Sequence, residues 1–145
     1  MLTHAPAEAL ESAVRIAILS AGRLLQAGSA DDVYRRPVNL AAARALGAVN
    51  VFARSALPPG WQALAAGAGD QLGFRPEGVR LDPASPARFV VTARRTTGPL
   101  IRLTLEGAGL TVNALVPHGA ALAIGAETGV NLDPALTFTF ASDRT

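Results

Sequence analysis

Between residues 100 and 117, apolar and polar positions alternate almost without a break. Ile101, Leu103 and Leu105 are separated by Arg102 and Thr104, and Leu110, Val112 and Ala114 by Thr111 and Asn113. Successive side chains of a strand point to opposite faces, so a period of two marks a strand with one face buried. Phe138 and Phe140 repeat the pattern beside Thr137 and Thr139. Short runs over 49–55, 71–75, 79–81 and 89–95 also read as strands, divided by Gly, Pro, Asp and Asn. Residues 57–69, which carry Pro58-Pro59-Gly60-Trp61 and a Gly/Ala stretch, read as a loop or weak hairpin anchored by Trp61.

Ahead of Gly47 the pattern changes. Pro6 suits a first helical turn, and Leu10, Ala13 and Val14 recur at helical spacing, which predicts a short helix over 5–14. Runs 15–20 and 23–27 predict two strands joined through Ala21-Gly22. Ser29, with Asp32 in the capping-box place, starts a helix that ends before Pro37. Asn39 starts another, with Leu40, Ala43 and Leu46 on one face and Gly47 as its stop. The expected fold is α+β: a helix-hairpin-helix segment over residues 1–48, then an all-β domain, a small barrel or sandwich, over 49–145.

Half of the 145 residues are apolar, enough for a packed core, and only 5% are aromatic, so that core must be mostly aliphatic. The net charge of +2 and the scattering of the arginines argue against a nucleic-acid surface. With no cysteine, and with its two histidines, His4 and His118, far apart, the chain offers neither a disulfide framework nor a metal site. No run approaches the ~18–20 apolar residues of a membrane span, and no signal-peptide pattern opens the chain, so a soluble, cytoplasmic protein is expected. All 13 basic residues are arginine. A P-loop needs a lysine to reach the terminal phosphates of a nucleotide, so these residues contain none. No Ser or carboxylate sits in a nucleophile or acid/base motif.

Thr3-His4, Glu8-Ala9-Leu10, Arg15-Ile16-Ala17-Ile18-Leu19-Ser20-Ala21-Gly22-Arg23, Gln26-Ala27-Gly28-Ser29, Val33-Tyr34-Arg35-Arg36-Pro37 and Leu46-Gly47-Ala48-Val49-Asn50 follow one another in an order that resembles the end of the ATPase subunit of an ABC importer. In that family the segment runs from the switch histidine to the exit of the nucleotide-binding domain. Leu72-Gly73-Phe74-Arg75-Pro76-Glu77-Gly78-Val79-Arg80-Leu81 resembles the opening of the TOBE region of the same subunits. Gly98 to Leu105, Leu115-Val116-Pro117 and Val130 to Pro134 fall where that region places later strands. The chain departs from the family at Arg94-Arg95-Thr96-Thr97, where an aromatic-Leu-Gly pattern is common, and it is short between Val116 and Val130. Leu19-Ser20-Ala21-Gly22 resembles the start of the ABC signature but falls well after its place.

The resemblance implies an OB-like TOBE barrel behind a remnant of the nucleotide-binding domain, truncated before the Walker and signature motifs. The role expected is regulation and subunit contact within an importer ATPase, leaning toward uptake of an oxyanion such as molybdate, tungstate or sulfate. Alternatives are a stand-alone TOBE-type oxyanion-binding module and, more remotely, an OB-type nucleic-acid binder. His4 takes the switch-histidine position but has no phosphate to sense here. No cofactor is expected in this chain; ATP and Mg are implied only for the full-length parent. Permease subunits are the implied partners of that parent, at the inner face of the membrane. Self-association is expected as well, because Ile16, Ile18, Leu24, Leu10 and Val14 read as half of a core whose cover is missing. Arg75, Pro76 and Glu77 form an interface candidate, or a strand-end turn with a partly exposed ion pair. Arg94, Arg95, Thr96, Thr97 and Gly98 form an anion-binding candidate, or a solvated loop between strands.

Overall fold

The computed structural model describes residues 15–58, 60–65 and 69–140. The helix expected over 5–14, with His4, Leu10 and Val14, lies outside them. The chain divides into two compact units, Met1–Val49 and Asn50–Thr145.

In the first unit, β1 (Arg15–Ser20) and β2 (Arg23–Ser29) form an antiparallel hairpin. Ala21 and Gly22 both take positive φ, 50° and 76°, the conformation of a two-residue turn matched to the strand twist. The Ser29 hydroxyl accepts the Asp32 N–H and opens α1 (Ala30–Arg35); the Asn39 side chain accepts the Ala42 N–H and opens α2 (Leu40–Ala45). Each cap satisfies a donor that the first helical turn leaves unpaired. Ile16 and Ile18 are buried with Val33, Ala42 and Leu46. This corrects the expectation that both isoleucines lack cover: the two six-residue helices supply it. The exposed apolar pair is instead Leu19 and Leu24, direct cross-strand partners at 51% and 61% exposure.

The second unit holds two antiparallel sheets. β3 (Asn50–Ala53), β4 (Gln71–Phe74) and β10 (Thr137–Phe140) form one, in the order β10-β4-β3. β5 (Val79–Leu81), β6 (Arg88–Thr96), β7 (Leu100–Gly107), β8 (Leu110–Pro117) and β9 (Glu127–Leu132) form the other, in the order β5-β9-β6-β7-β8. The alternation read in the sequence is realised on β7 and β8. Ile101, Leu103, Leu105, Leu110, Val112, Ala114 and Val116 are buried, while Arg102, Glu106, Thr111 and Asn113 are exposed. Ala108 and Gly109, at φ 52° and 77°, turn one strand into the other.

Two features depart from the sequence pattern. The first is β9, where Thr128, Gly129 and Val130 are buried in succession, so no alternation announces a strand. Gly129 lies under the Asp82–Ser85 segment, and a Cβ there would come within about 3 Å of three of its atoms, so only glycine lets that segment cross the sheet. The second is the run around Trp61, described over 57–58 and 60–65, which is not a peripheral loop. Trp61 is 2% exposed, stacks on Phe89 with centroids 5.5 Å apart, meets Phe74 edge-on at the same distance, and donates its indole N–H to the Val130 carbonyl at 3.1 Å. Its core is therefore partly aromatic at the centre, with Leu, Val and Ile around it.

The unit is β-rich, but no ladder closes the five-stranded sheet into a ring. Its edge strands β5 and β8 approach each other without a hydrogen-bonded register between them. The small sheet is tied to the large one by Asn50. Its side-chain amide donates to the Asn113 carbonyl at 2.8 Å and accepts the Asn113 N–H at 2.9 Å, doing with one side chain what a neighbouring strand does with its backbone. Among the described residues no helix is long and apolar enough to cross a membrane.

Because Trp61 is the sole tryptophan, its emission reads this core alone. The folded chain is expected to emit at short wavelength and to shift red in one step on urea unfolding. Trp61→Ala is expected to cost about 3–5 kcal/mol by the same titration, measured by circular dichroism. A loss below about 1 kcal/mol would contradict this placement of the ring.

Candidate functional site

Arg75 follows β4 directly, and Pro76 opens a single 3₁₀ turn, Pro76–Gly78, that leads into β5. Pro76 suits the first position of such a turn because its missing N–H has no partner to lose there. The turn is closed by the Gly78 N–H on the Arg75 carbonyl at 2.9 Å, while the Arg75 N–H donates to Leu136 at 3.1 Å. Arg75 is entirely buried, and its guanidinium lies 5.5 Å from the centroid of the Phe138 ring. A cation over the face of an aromatic ring recovers part of the desolvation cost of burying it. The reading of a partly exposed ion pair is thereby corrected for Arg75: its side chain is buried against Phe138 of β10, the strand paired with β4. Pro76 is buried and Glu77 half-buried. What this triplet offers the surface is therefore Glu77.

The run Arg94 to Gly98 is not a loop. Arg94, Arg95 and Thr96 continue β6, in register with Leu103, Arg102 and Ile101 of β7, and only Thr97 to Pro99 form the turn. The Thr97 N–H and hydroxyl both donate to the Leu100 carbonyl, at 2.9 and 3.1 Å, and Gly98 turns the chain at φ 88°. The His118 Nε2 lies 2.9 Å from the Gly98 carbonyl.

Strand geometry then separates the two arginines. Adjacent residues of a strand face opposite sides, so Arg94 lies on the side of Leu103, reaching the Leu122 carbonyl at 3.4 Å, while Arg95 lies on the outer side with Arg102. Four donors in sequence are thus not four donors in one place. The residue that joins Arg95 is Arg102, which sequence spacing alone left aside, although alternation on β7 and the Thr97-Gly98-Pro99 turn together carried the signal. Both guanidinia are exposed, and neither makes an ion pair or hydrogen bond among the described residues. Arg35, Arg36, Arg80 and Arg88, by contrast, are held in ion pairs. Like charges directly opposite on a sheet repel, so this pair attracts an anion.

Beside this row lies a cleft of about 620 Å³, walled by Val79, Leu81, Leu100, Leu115, Val116 and Leu122, with Glu77, Arg80 and Thr128 at its polar points. His4 lies outside the described residues. Among those residues no cluster of His, Asp and Glu could hold a metal ion.

Residues 72–140 match the TOBE domain family. Over 92% of its length the chain is 32% identical to the Fe(3+) ions import ATP-binding protein FbpC of Streptomyces coelicolor, covering 42% of that protein. It is 27% identical over 88% of its length to the molybdate/tungstate import ATP-binding protein WtpC of Pyrococcus abyssi, again covering 42%. It is 32% identical over 98% of its length to the sulfate/thiosulfate import ATP-binding protein CysA 1 of Chromobacterium violaceum, covering 45%. The chain thus spans less than half the length of these relatives.

The buried and the exposed arginine separate in stability. Arg75→Ala is expected to cost about 2–4 kcal/mol in urea unfolding, from a cavity and the packing lost along the side chain. Arg95→Ala is expected to change stability by no more than about 0.5 kcal/mol. Equal effects of the two would contradict their placement on opposite sides of the surface.

Proposed function

We infer that this chain, which belongs with the C-terminal region of the ABC-importer ATP-binding subunits, acts as the regulatory and subunit-contact portion of such an ATPase rather than as its catalytic portion. One observation carries the reading: the likeness runs from the hairpin through the TOBE domain and takes in nearly the whole chain while covering under half of each relative. The hairpin and the two capped helices then correspond to the exit of the nucleotide-binding domain, and the second unit to an OB-like regulatory domain. ATP and Mg belong to the remainder of such a subunit. The 145 residues contain no lysine with which a P-loop could reach a nucleotide phosphate. A subunit of this kind works at the inner face of the membrane against permease subunits. The exposed Leu19 and Leu24 supply an apolar contact for the nucleotide-binding domain or for a second copy.

The solute is an oxyanion in this reading, because the chain's one cationic pair lacking a counter-ion among the described residues, Arg95 and Arg102, suits a divalent anion. A self-sufficient oxyanion-binding module is the second reading and rests on that same pair. The relatives' printed substrates, iron, molybdate/tungstate and sulfate, span both cations and anions.

Calorimetry of the purified chain with ATP and Mg is expected to give no saturable heat and no hydrolysis; saturable binding would overturn the assignment to the non-catalytic portion. Molybdate, tungstate and sulfate are expected to raise the melting temperature at concentrations where chloride does not, because a ligand of the folded state stabilises it by mass action. Arg95→Ala and Arg102→Ala should each remove that difference, whereas Arg94→Ala should keep it. Equal shifts with every salt would refute the anion reading.

A further inference from the structure

Where β5 and β8 approach each other without a shared ladder, the sheet leaves a hollow at its own edge. In an antiparallel pair only alternate residues bond to the neighbouring strand; those between point their N–H and C=O the other way. Val130 of β9 gives its N–H to Ala87 at 2.9 Å, and its carbonyl takes Trp61 and Ser85 at 3.1 and 2.9 Å. Val130 thus faces away from β5, and its register partner Leu81 faces away from β9. The hollow is the cleft of about 620 Å³, within the roughly 300–1,000 Å³ typical of small-molecule sites.

The polar points inside the cleft do not call for a head group. Arg80 lines it, but its guanidinium already holds the Asp133 carboxylate at 3.0 Å. Thr128 lines it as well, but its residue is 2% exposed and its hydroxyl donates to the Gly129 carbonyl at 3.0 Å. Glu77 adds a negative charge to the wall, which keeps an anionic group out of the interior. Val79, Leu81, Leu100, Leu115, Val116 and Leu122 make up most of the remaining wall. The interior therefore suits an apolar body.

The rim has the opposite character. Leu100 precedes Arg102 by two residues on β7 and so shares its face, and Leu115 sits directly across from Arg102 on β8. Both leucines wall the cleft. Side chains directly opposite on neighbouring strands stand about 5 Å apart, so the Arg102 side chain starts one side-chain width from the cleft wall. Arg102 is exposed and makes no ion pair or hydrogen bond among the described residues, and Arg95 stands across from it on β6 with the same freedom.

We propose that the cleft binds a small organic carboxylate, with its alkyl or aryl-alkyl body between β5 and β8 and its carboxylate on Arg102. Burial of the body supplies affinity, and the carboxylate–guanidinium contact fixes the orientation. Arg95 adds to the positive field at the rim. The ligand differs from a bare oxyanion, which has no apolar body to fill the cleft. The proposal shares Arg102 with the oxyanion reading but rests on the cleft, and it does not depend on the importer reading.

The test titrates the whole 145-residue chain with 4-phenylbutyrate, with 4-phenylbutanol and with acetate, followed by calorimetry and amide chemical shifts. 4-Phenylbutyrate is expected to bind with Kd below about 1 mM and to shift the amides of Leu81, Leu100 and Leu115. The alcohol lacks the charge and acetate lacks the body, so each should bind ~10-fold more weakly or worse. Arg102→Ala should weaken 4-phenylbutyrate ~10-fold. Ala120 is exposed and lines the cleft, so Ala120→Phe fills the space from its edge and should abolish binding; unchanged Trp61 emission checks that both variants fold. The sulfate melting shift reads the oxyanion assignment separately. A chain that binds 4-phenylbutyrate without being stabilised by sulfate keeps the cleft ligand and loses the oxyanion. The proposal is overturned if 4-phenylbutyrate does not bind below about 1 mM, if the alcohol binds as tightly, or if folded Ala120→Phe keeps the affinity.

Discussion

The carbonyl of Val130 is the point on which the second unit turns. It takes two hydrogen bonds, from the Trp61 indole and the Ser85 hydroxyl, and so uses both of its lone pairs. A buried carbonyl left bare is costly, so each donor is held firmly to its place. Trp61 is thereby fixed against Phe89 and Phe74 at the centre of the core, and the Asp82–Ser85 segment is fixed across Gly129. The same bonds turn Val130 away from β5. The outward groups of Leu81 on β5 follow from the same register, in which Val130 and Leu81 are partners.

Two polar residues do related work elsewhere. Asn50 reaches from one sheet to the edge of the other and bonds both main-chain groups of Asn113, which halts further pairing at that point. Arg75 fixes the crossing from β4 to β5, buried against Phe138 with its main chain bonded on both sides. The Arg75-Pro76-Glu77 segment is thus an internal brace that presents Glu77 to the cleft wall. A surface contact for the triplet as a whole does not follow from that geometry.

The functional features converge on one side of the large sheet. The arginine row and the cleft meet at Leu115, which walls the cleft and sits across from Arg102. The first unit contributes differently. Its helices cover Ile16 and Ile18 but leave Leu19 and Leu24 exposed.

Where local rules suffice, the sequence was legible. Ser29 and Asn39 announced both helix starts because a cap is a contact within four residues. The alternation of β7 and β8 announced both strands because each has one face in the core and one in water. The family likeness came from residue order, which needs no geometry. Tertiary structure decided the rest. β9 escaped the pattern because Gly129, on the face that Glu127 and Asn131 leave to water, is covered by the Asp82–Ser85 segment, so three residues in succession are buried. Trp61 and Arg75 moved inward because their partners, Val130 and Phe138, lie more than sixty residues away in sequence. Arg94 and Arg95 were adjacent in the chain but parted by the pleat, and Arg102 was brought to Arg95 by the pairing of two strands. Spacing along a chain fixes which face a side chain takes; only the fold fixes what stands opposite it.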